Sequence, residues 1–205
     1  MAGRANSSRE RILATAEAII LQKGYTGTSL DEILDKAAIT KGGFFYHFNG
    51  KGELARALVQ RYLAEDQAMF NRLQERADGL SEDPLQQLLI FLHLLAEAAI
   101  GMNEVHPGCL AAAFTYELQQ FDDEIRNQLA NGILAWRSMI ADRLNIILVK
   151  RTPRLPVDVE ALADMFTAVL EGGIILARIF NSNAPLYNQI LGYRTHLRLL
   201  FDDLT

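Results

Sequence analysis

Apolar residues recur at three- and four-residue intervals along almost the whole chain, a spacing that predicts helix after helix. Ile12, Leu13, Ala16, Ile19 and Ile20 mark the first, with Ser7 or Ser8 as candidate caps and Gly24 ending it just after Lys23. In "TGTSLDEILDKA", residues 26–37, Thr28 with Asp31 and Ser29 with Glu32 form two overlapping capping boxes. Leu30, Ile33, Leu34 and Ala37 give this second, short helix its buried face. Thr40 restarts the pattern, so "TKGGFFYHF" predicts a third helix over 40–48. A fourth is expected from about Lys51 to Leu73, carrying Leu54, Leu58, Tyr62, Met69, Phe70 and Leu73.

The pattern breaks at "ADGLSEDP", residues 77–84, and resumes as "LLIFLHLLAEAAI", residues 88–100, which is apolar almost all round and predicts a central buried helix. "MNEVHPGCLAAAFTYEL" reads as a loop followed by a helix beginning near Pro107 or Gly108, and Trp136 falls in the next long helix. After the polar loop "KRTPRLPVD" come two last helices. One carries Ala161, Met165, Ala168, Gly172 and Leu176; the other runs from Pro185 with Leu186, Ile190, Tyr193, Leu197 and Leu200. The expectation is an all-α chain of about nine helices: a three-helix head over residues 1–52 and a larger helical domain over 53–205.

Composition narrows the class. Half of the 205 residues are hydrophobic and 22% are charged, enough for a sizeable core. The single cysteine, Cys109, excludes an intramolecular disulfide framework and suits a reducing compartment. "MAGRANSSRE" lacks the apolar run of a secretory signal, and residues 88–100 are too short for a bilayer, so the expected location is the cytoplasm. The net charge of −5 is unevenly spread. Through Arg61 there are nine basic and six acidic residues; beyond it, eleven basic and nineteen acidic. A basic head on an acidic body suits a local polyanion site.

Two short helices joined by a tight turn, with a third braced across them, form a helix-turn-helix, whose second helix enters the DNA major groove. This accounts for "TKGGFFYHF". Thr40 caps the helix, and Lys41 adds a mobile positive charge at the same end. Gly42 and Gly43 remove bulk where a groove would approach, at a cost of roughly 1 kcal/mol each in helix propensity. Phe44 and Phe48, four apart, seat the helix, while Tyr46 and His47 carry polar tips suited to phosphate oxygens. Lys51 stands at the start of the fourth helix, placed for a further phosphate contact.

The stretch "GYTGTSLDEILDKAAITKGGFFYHFNGKGEL" resembles the DNA-binding signature of the TetR/AcrR family of transcriptional repressors. The resemblance covers about residues 8 to 60, with Gly24, Thr28, Ser29, Ile33, Ala37, Thr40, Lys41, Gly42, Tyr46, His47, Phe48, Lys51 and Leu54 in register. It implies a DNA-binding head, a connecting fourth helix, and a helical body that binds a small effector and dimerises. Phe45 stands where the family usually carries tyrosine, Ala38 where a turn glycine is common, and Gly52 where glutamate is frequent. The DNA-facing residues expected are Thr28, Ser29, Thr40, Lys41, Gly42, Gly43, Tyr46, His47 and Lys51.

The candidate effector contacts are His93, Glu97, His106, Cys109, Phe114 and Trp136. Met165, Ala168, Gly172, Leu176, Ile190, Tyr193 and Leu197 are the candidate dimer interface, because two helices from each subunit would form a four-helix bundle. "LEGGIILAR" resembles the family's penultimate helix, and the Gly-Cys-Leu step resembles a branch that senses electrophiles or oxidants, where a helix N-terminus favours the thiolate. The expected function is a homodimeric repressor released from a palindromic DNA operator by a small effector, with sensing through Cys109 as the alternative. A metal-dependent helical enzyme is the third reading. The chain has no HExxH, P-loop, CxxC or Gly-x-Ser-x-Gly, and His47, His93, His106 and His196 are scattered, so neither catalysis, a metal nor a cofactor is expected.

Overall fold

The computed structural model describes residues 2–201, with side chains from Ser8 onward. Among the described residues there are nine α-helices and no strand. The first, α1 (Ala2–Lys23), begins well before its expected cap. Ser8 therefore lies inside the helix, and the side chain of Ser7 falls outside the described residues. It stops where Gly24 takes a φ of 82°, a conformation that costs glycine little.

Next comes α2 (Leu30–Ala37). Ser29 is its N-cap, its hydroxyl oxygen accepting the N–H of Glu32 at 3.2 Å. Of its expected buried face, Ile33 and Ala37 are buried and Leu30 and Leu34 half-buried. The helix ends on Ala38 at φ 51°, with the Ile39 N–H returning to the Leu34 carbonyl. Then follow α3 (Lys41–Phe45) and α4 (Lys51–Asp78). After them come α5 (Pro84–Ile100), capped by Asp83 with proline in its first turn, α6 (Leu110–Thr115) and a 3-10 turn at Leu118–Gln120. The chain closes with α7 (Asp123–Lys150), α8 (Val159–Phe180) and α9 (Ala184–Phe201).

These helices form two compact units. One takes the chain through Glu65 together with Pro107–Ala130; the other takes Asp66–His106 with the chain from Asn131 on. In the first, Ile12, Leu13, Ala16 and Ile20 of α1 close a core with Ile33, Phe44, Phe48, Leu54 and Leu58. A second cluster stacks Phe114 on Phe121, centroids 4.6 Å apart, with Tyr25 edge-on to Phe114 and tilted against Phe121. Arg61 pairs with Glu17 and Glu10, tying α4 to α1.

In the second unit α5 is buried on most of its circumference, as its apolar run predicts, and it packs on α9, which in turn packs on α8. Phe70 meets Phe91, Trp136 and Phe166 at centroid distances of 6.0–6.2 Å. Tyr193 joins this cluster and donates its hydroxyl to the Leu162 carbonyl at 2.9 Å. A Cβ on Gly173 would lie 2.9 Å from Leu186 Cα, so α8 and α9 touch backbone to backbone there.

Candidate nucleic-acid interface

The helix predicted over 40–48 is shorter than expected. After Phe45 the chain tightens into a turn in which the His47 N–H reaches the Phe44 carbonyl at 2.8 Å. Thr40 leaves helical geometry at ψ 156°, and its hydroxyl oxygen accepts the Gly43 N–H at 3.1 Å. Phe44 and Phe48 are buried and fix the helix on α1, one ring 5.5 Å from the other. The opposite face is open. Lys41 and Gly42 are exposed, Tyr46 is 77% exposed, and His47 is half-buried with its ring edge-on to Tyr46.

The two glycines differ in kind. A Cβ at Gly43 would crowd Ile39 Cγ2 at 3.1 Å and Thr40 Oγ1 at 3.3 Å, so the cap itself requires it. A Cβ at Gly42 would meet nothing within 4 Å. Only Gly42 lacks an intramolecular reason.

Two residues expected at the DNA surface are engaged elsewhere. Thr28 is buried and donates its hydroxyl to the Gly24 carbonyl at 2.7 Å, so it locks the turn after α1 and presents nothing outward. Lys51 donates to the Tyr25 carbonyl and its ammonium lies 4.0 Å from the Tyr25 ring centroid, so it is half-buried in a contact of the protein's own. Burial holds its pKa below the ordinary lysine value, partly offset by the Glu117 charge. Ser29 remains exposed at its cap.

Glu117 completes this arrangement and was not singled out by sequence. Its carboxylate accepts the backbone N–H groups of Tyr25, at 2.6 Å, and Thr26, at 2.8 Å, together with the Thr26 hydroxyl. Burial works to raise the Glu117 carboxyl, but the hydrogen bonds from Thr26 and Tyr25 prevail and hold it below the usual carboxylate range. Burial raises the neighbouring Tyr25 phenol, with the Glu117 charge adding to it. The turn between α1 and α2 is thus clamped from the α6 side, which positions the helix-turn-helix. A single glutamate outside a motif carries no signal of such a role.

The candidate effector residues are divided between the units: Cys109 and Phe114 belong to the first, His93, Glu97, His106 and Trp136 to the second. His93 and Glu97 are exposed and pair with each other at 3.5 Å on the outer side of α5, because the rest of that helix supplies the core. Trp136 is buried among Phe70 and its neighbours, and Phe114 is fully buried against Phe121. His106 donates its backbone N–H to Asn183 at 2.9 Å, and burial followed by the Arg178 charge lowers its pKa. Cys109 is the N-cap of α6, 5% exposed, with its sulfur accepting the Ala112 N–H at 3.4 Å and the Tyr62 hydroxyl at 3.2 Å. The second unit has an open cleft of about 280 Å³ lined by Gln74, Gln87, Met139, Asp142 and Arg143, among others, and none of the six candidates lies in it.

The candidate dimer residues divide by helix. On α8, Met165 and Ala168 are exposed and Gly172 and Leu176 half-buried. On α9, Ile190, Tyr193 and Leu197 are buried within the protomer, since that stripe closes the core against α5 and α8. Ile175, Ile179 and Phe180 of α8 and Leu199 of α9, besides Met165, are large apolar residues left exposed on these two helices. Among the described residues, no helix is long and apolar enough to cross a membrane.

Comparison with known proteins agrees with this geometry. Residues 12–58 match the family described as "Bacterial regulatory proteins, tetR family", and residues 84–190 match "Tetracyclin repressor-like, C-terminal domain". The probable HTH-type transcriptional regulator ArpR of Pseudomonas putida is 32% identical over 177 residues, 82% of this chain and 79% of its own length. The HTH-type transcriptional repressor NemR of Escherichia coli K12 is 27% identical over 133 residues, 63% of this chain and 65% of its own. The crystal structure of the reduced form of E. coli NemR superimposes with a TM-score of 0.72 at 23% identity, covering 95% of this chain and 97% of that one. With a helix-turn-helix at its start and the family's C-terminal domain across more than half its length, the chain belongs to the TetR family of ligand-responsive, DNA-binding transcriptional regulators.

Proposed function

We propose that the protein is a homodimeric repressor of the cytoplasm that acts by binding and not by catalysis. Residues 1–52 form the DNA-binding head and residues 53–205 the body that takes up effector and dimerises. The observation that carries the reading is the outward face of α3, where a Cβ added at Gly42 would meet nothing within 4 Å although alanine would serve the helix better. Lys41, Tyr46 and His47 border that opening with groups suited to phosphate, and Ser29 and Thr40 stand at the caps. Two such heads would meet a palindrome in successive major grooves, about 34–36 Å apart or a multiple of it.

The exposed apolar residues Ile175, Ile179 and Phe180 support dimerisation through α8, with Met165, Ala168, Gly172 and Leu176 on the same helix and Leu199 on α9. A small apolar or amphipathic effector would favour a state whose head spacing no longer fits the operator. A tenfold loss of operator affinity requires only about 1.4 kcal/mol of coupling. Selection of bound sequences from random duplex DNA tests the reading: enrichment of an inverted repeat is expected, and no enrichment would refute it.

A second reading has Cys109 as a redox or electrophile sensor. Its support is the hydroxyl of Tyr62 directed at the sulfur, and the route from Cys109 along α6 to Glu117 and the α1–α2 turn. The similar E. coli NemR structure is of a reduced form. Under this reading Cys109→Ser binds the operator normally and is no longer released by oxidants; an unchanged oxidant response removes Cys109 as the sensor.

A further inference from the structure

The outward face of α3 holds one large group with no polar atom. Phe45 is 46% exposed, although its neighbour Phe44 is fully buried. The Phe44 ring meets it edge-on, with centroids 5.4 Å apart and planes at 89°, so Phe45 is braced from behind and free in front. Phe45 follows Lys41 by four residues and Gly42 by three, and so shares their side of the helix. The space beside Gly42 is empty, which leaves the ring an unobstructed approach on the surface that faces the groove.

Tyr46, one residue on, ends in a hydroxyl and is suited to a phosphate oxygen. Phe45 has none. Hydration of the exposed part of a ring is unfavourable, and nearly half of Phe45 is left in water. Of the features base pairs display in the major groove, the one that rewards an apolar contact is the C5-methyl group of thymine.

We propose that Phe45 is a specificity-determining residue that reads the methyl group of a thymine in each operator half-site. The inference rests on α3 being the recognition helix and is continuous with that interface. The two neighbouring aromatics then divide the work: Tyr46 holds the backbone and Phe45 reads a base. The operator therefore requires thymine at one position of each half-site for its methyl group and not for its hydrogen-bonding edge.

The test uses the full-length chain and a duplex that it selects from random DNA. Each thymine of the half-site is replaced in turn by deoxyuridine, which keeps every hydrogen-bonding atom and removes only the methyl. One position in each half-site is expected to lose affinity about fourfold, the worth of one buried methyl group. Phe45→Ala, compared with the parent below the melting temperature of both, is expected to bind the thymine and deoxyuridine duplexes equally at that position. A half-site without thymine, or one whose thymines all tolerate deoxyuridine, overturns the inference while leaving DNA binding intact. Undiminished discrimination by Phe45→Ala overturns it as well. A pool from which no duplex is selected refutes DNA binding itself, and this inference with it.

Discussion

The carboxylate of Glu117 accepts the backbone N–H of Tyr25 at 2.6 Å across a sequence separation of 92 residues, and by doing so fixes the turn that feeds α2. Its folded-state pKa lies below its ordinary value, so the stabilisation is complete above about pH 4.5 and is lost as pH falls through the folded value. Glu117→Gln is expected to lower stability by about 1 kcal/mol at neutral pH. The gap between the two proteins should close in acid, when the native carboxylate is itself protonated. Urea melts of both proteins across the pH range check this; a gap that persists unchanged in acid would contradict the clamp.

Lys41 and Lys51 separate into two classes. Lys41 is exposed, so Lys41→Ala should weaken binding to all duplexes alike and flatten the salt slope by about 0.9, with an unchanged melting temperature. Lys51 lies on the Tyr25 ring and carbonyl, so Lys51→Ala should cost about 1 kcal/mol of folding stability. Paired salt titrations and thermal melts distinguish them.

Ala38 occupies the left-handed region at φ 51°, where its Cβ is strained. Ala38→Gly should stabilise the protein by about 1 kcal/mol without altering operator affinity. Thermal denaturation reads the gain directly.

On α8 the neighbouring glycines should respond oppositely. Gly173→Ala forces a methyl group against the Leu186 backbone and should destabilise by about 1–3 kcal/mol. Gly172→Ala meets nothing within the protomer and should leave the isolated fold no less stable. Chemical denaturation of the two variants side by side tests the contact.

What the sequence revealed was local. Thr40, Ser29 and Gly24 act through neighbours three or four residues away, so their roles follow from spacing. Phe44 and Phe48 belong to the same class, since an apolar pair four apart, one on α3 and one just past the turn that ends it, shares one side of the chain. Long-range contacts were not legible. Lys51 reads as a free cation until Tyr25 is placed beneath it, and Glu117 reads as one more surface acid. Ile190, Tyr193 and Leu197 form the same stripe whether they face a partner or their own α5, and nothing in periodicity separates the two. His93 and Glu97 follow helical spacing, yet which side of α5 meets solvent depends on α8 and α9.

The most direct measurement is the affinity of Gly42→Ala for a selected operator duplex, taken with its melting temperature. Among the described residues nothing lies within 4 Å of the added methyl group, and alanine favours the helix, so the variant should melt no lower than the parent. If α3 lies in the major groove, the methyl group obstructs its approach, and affinity should fall by at least about tenfold. A variant that binds the duplex as tightly as the parent would contradict the account.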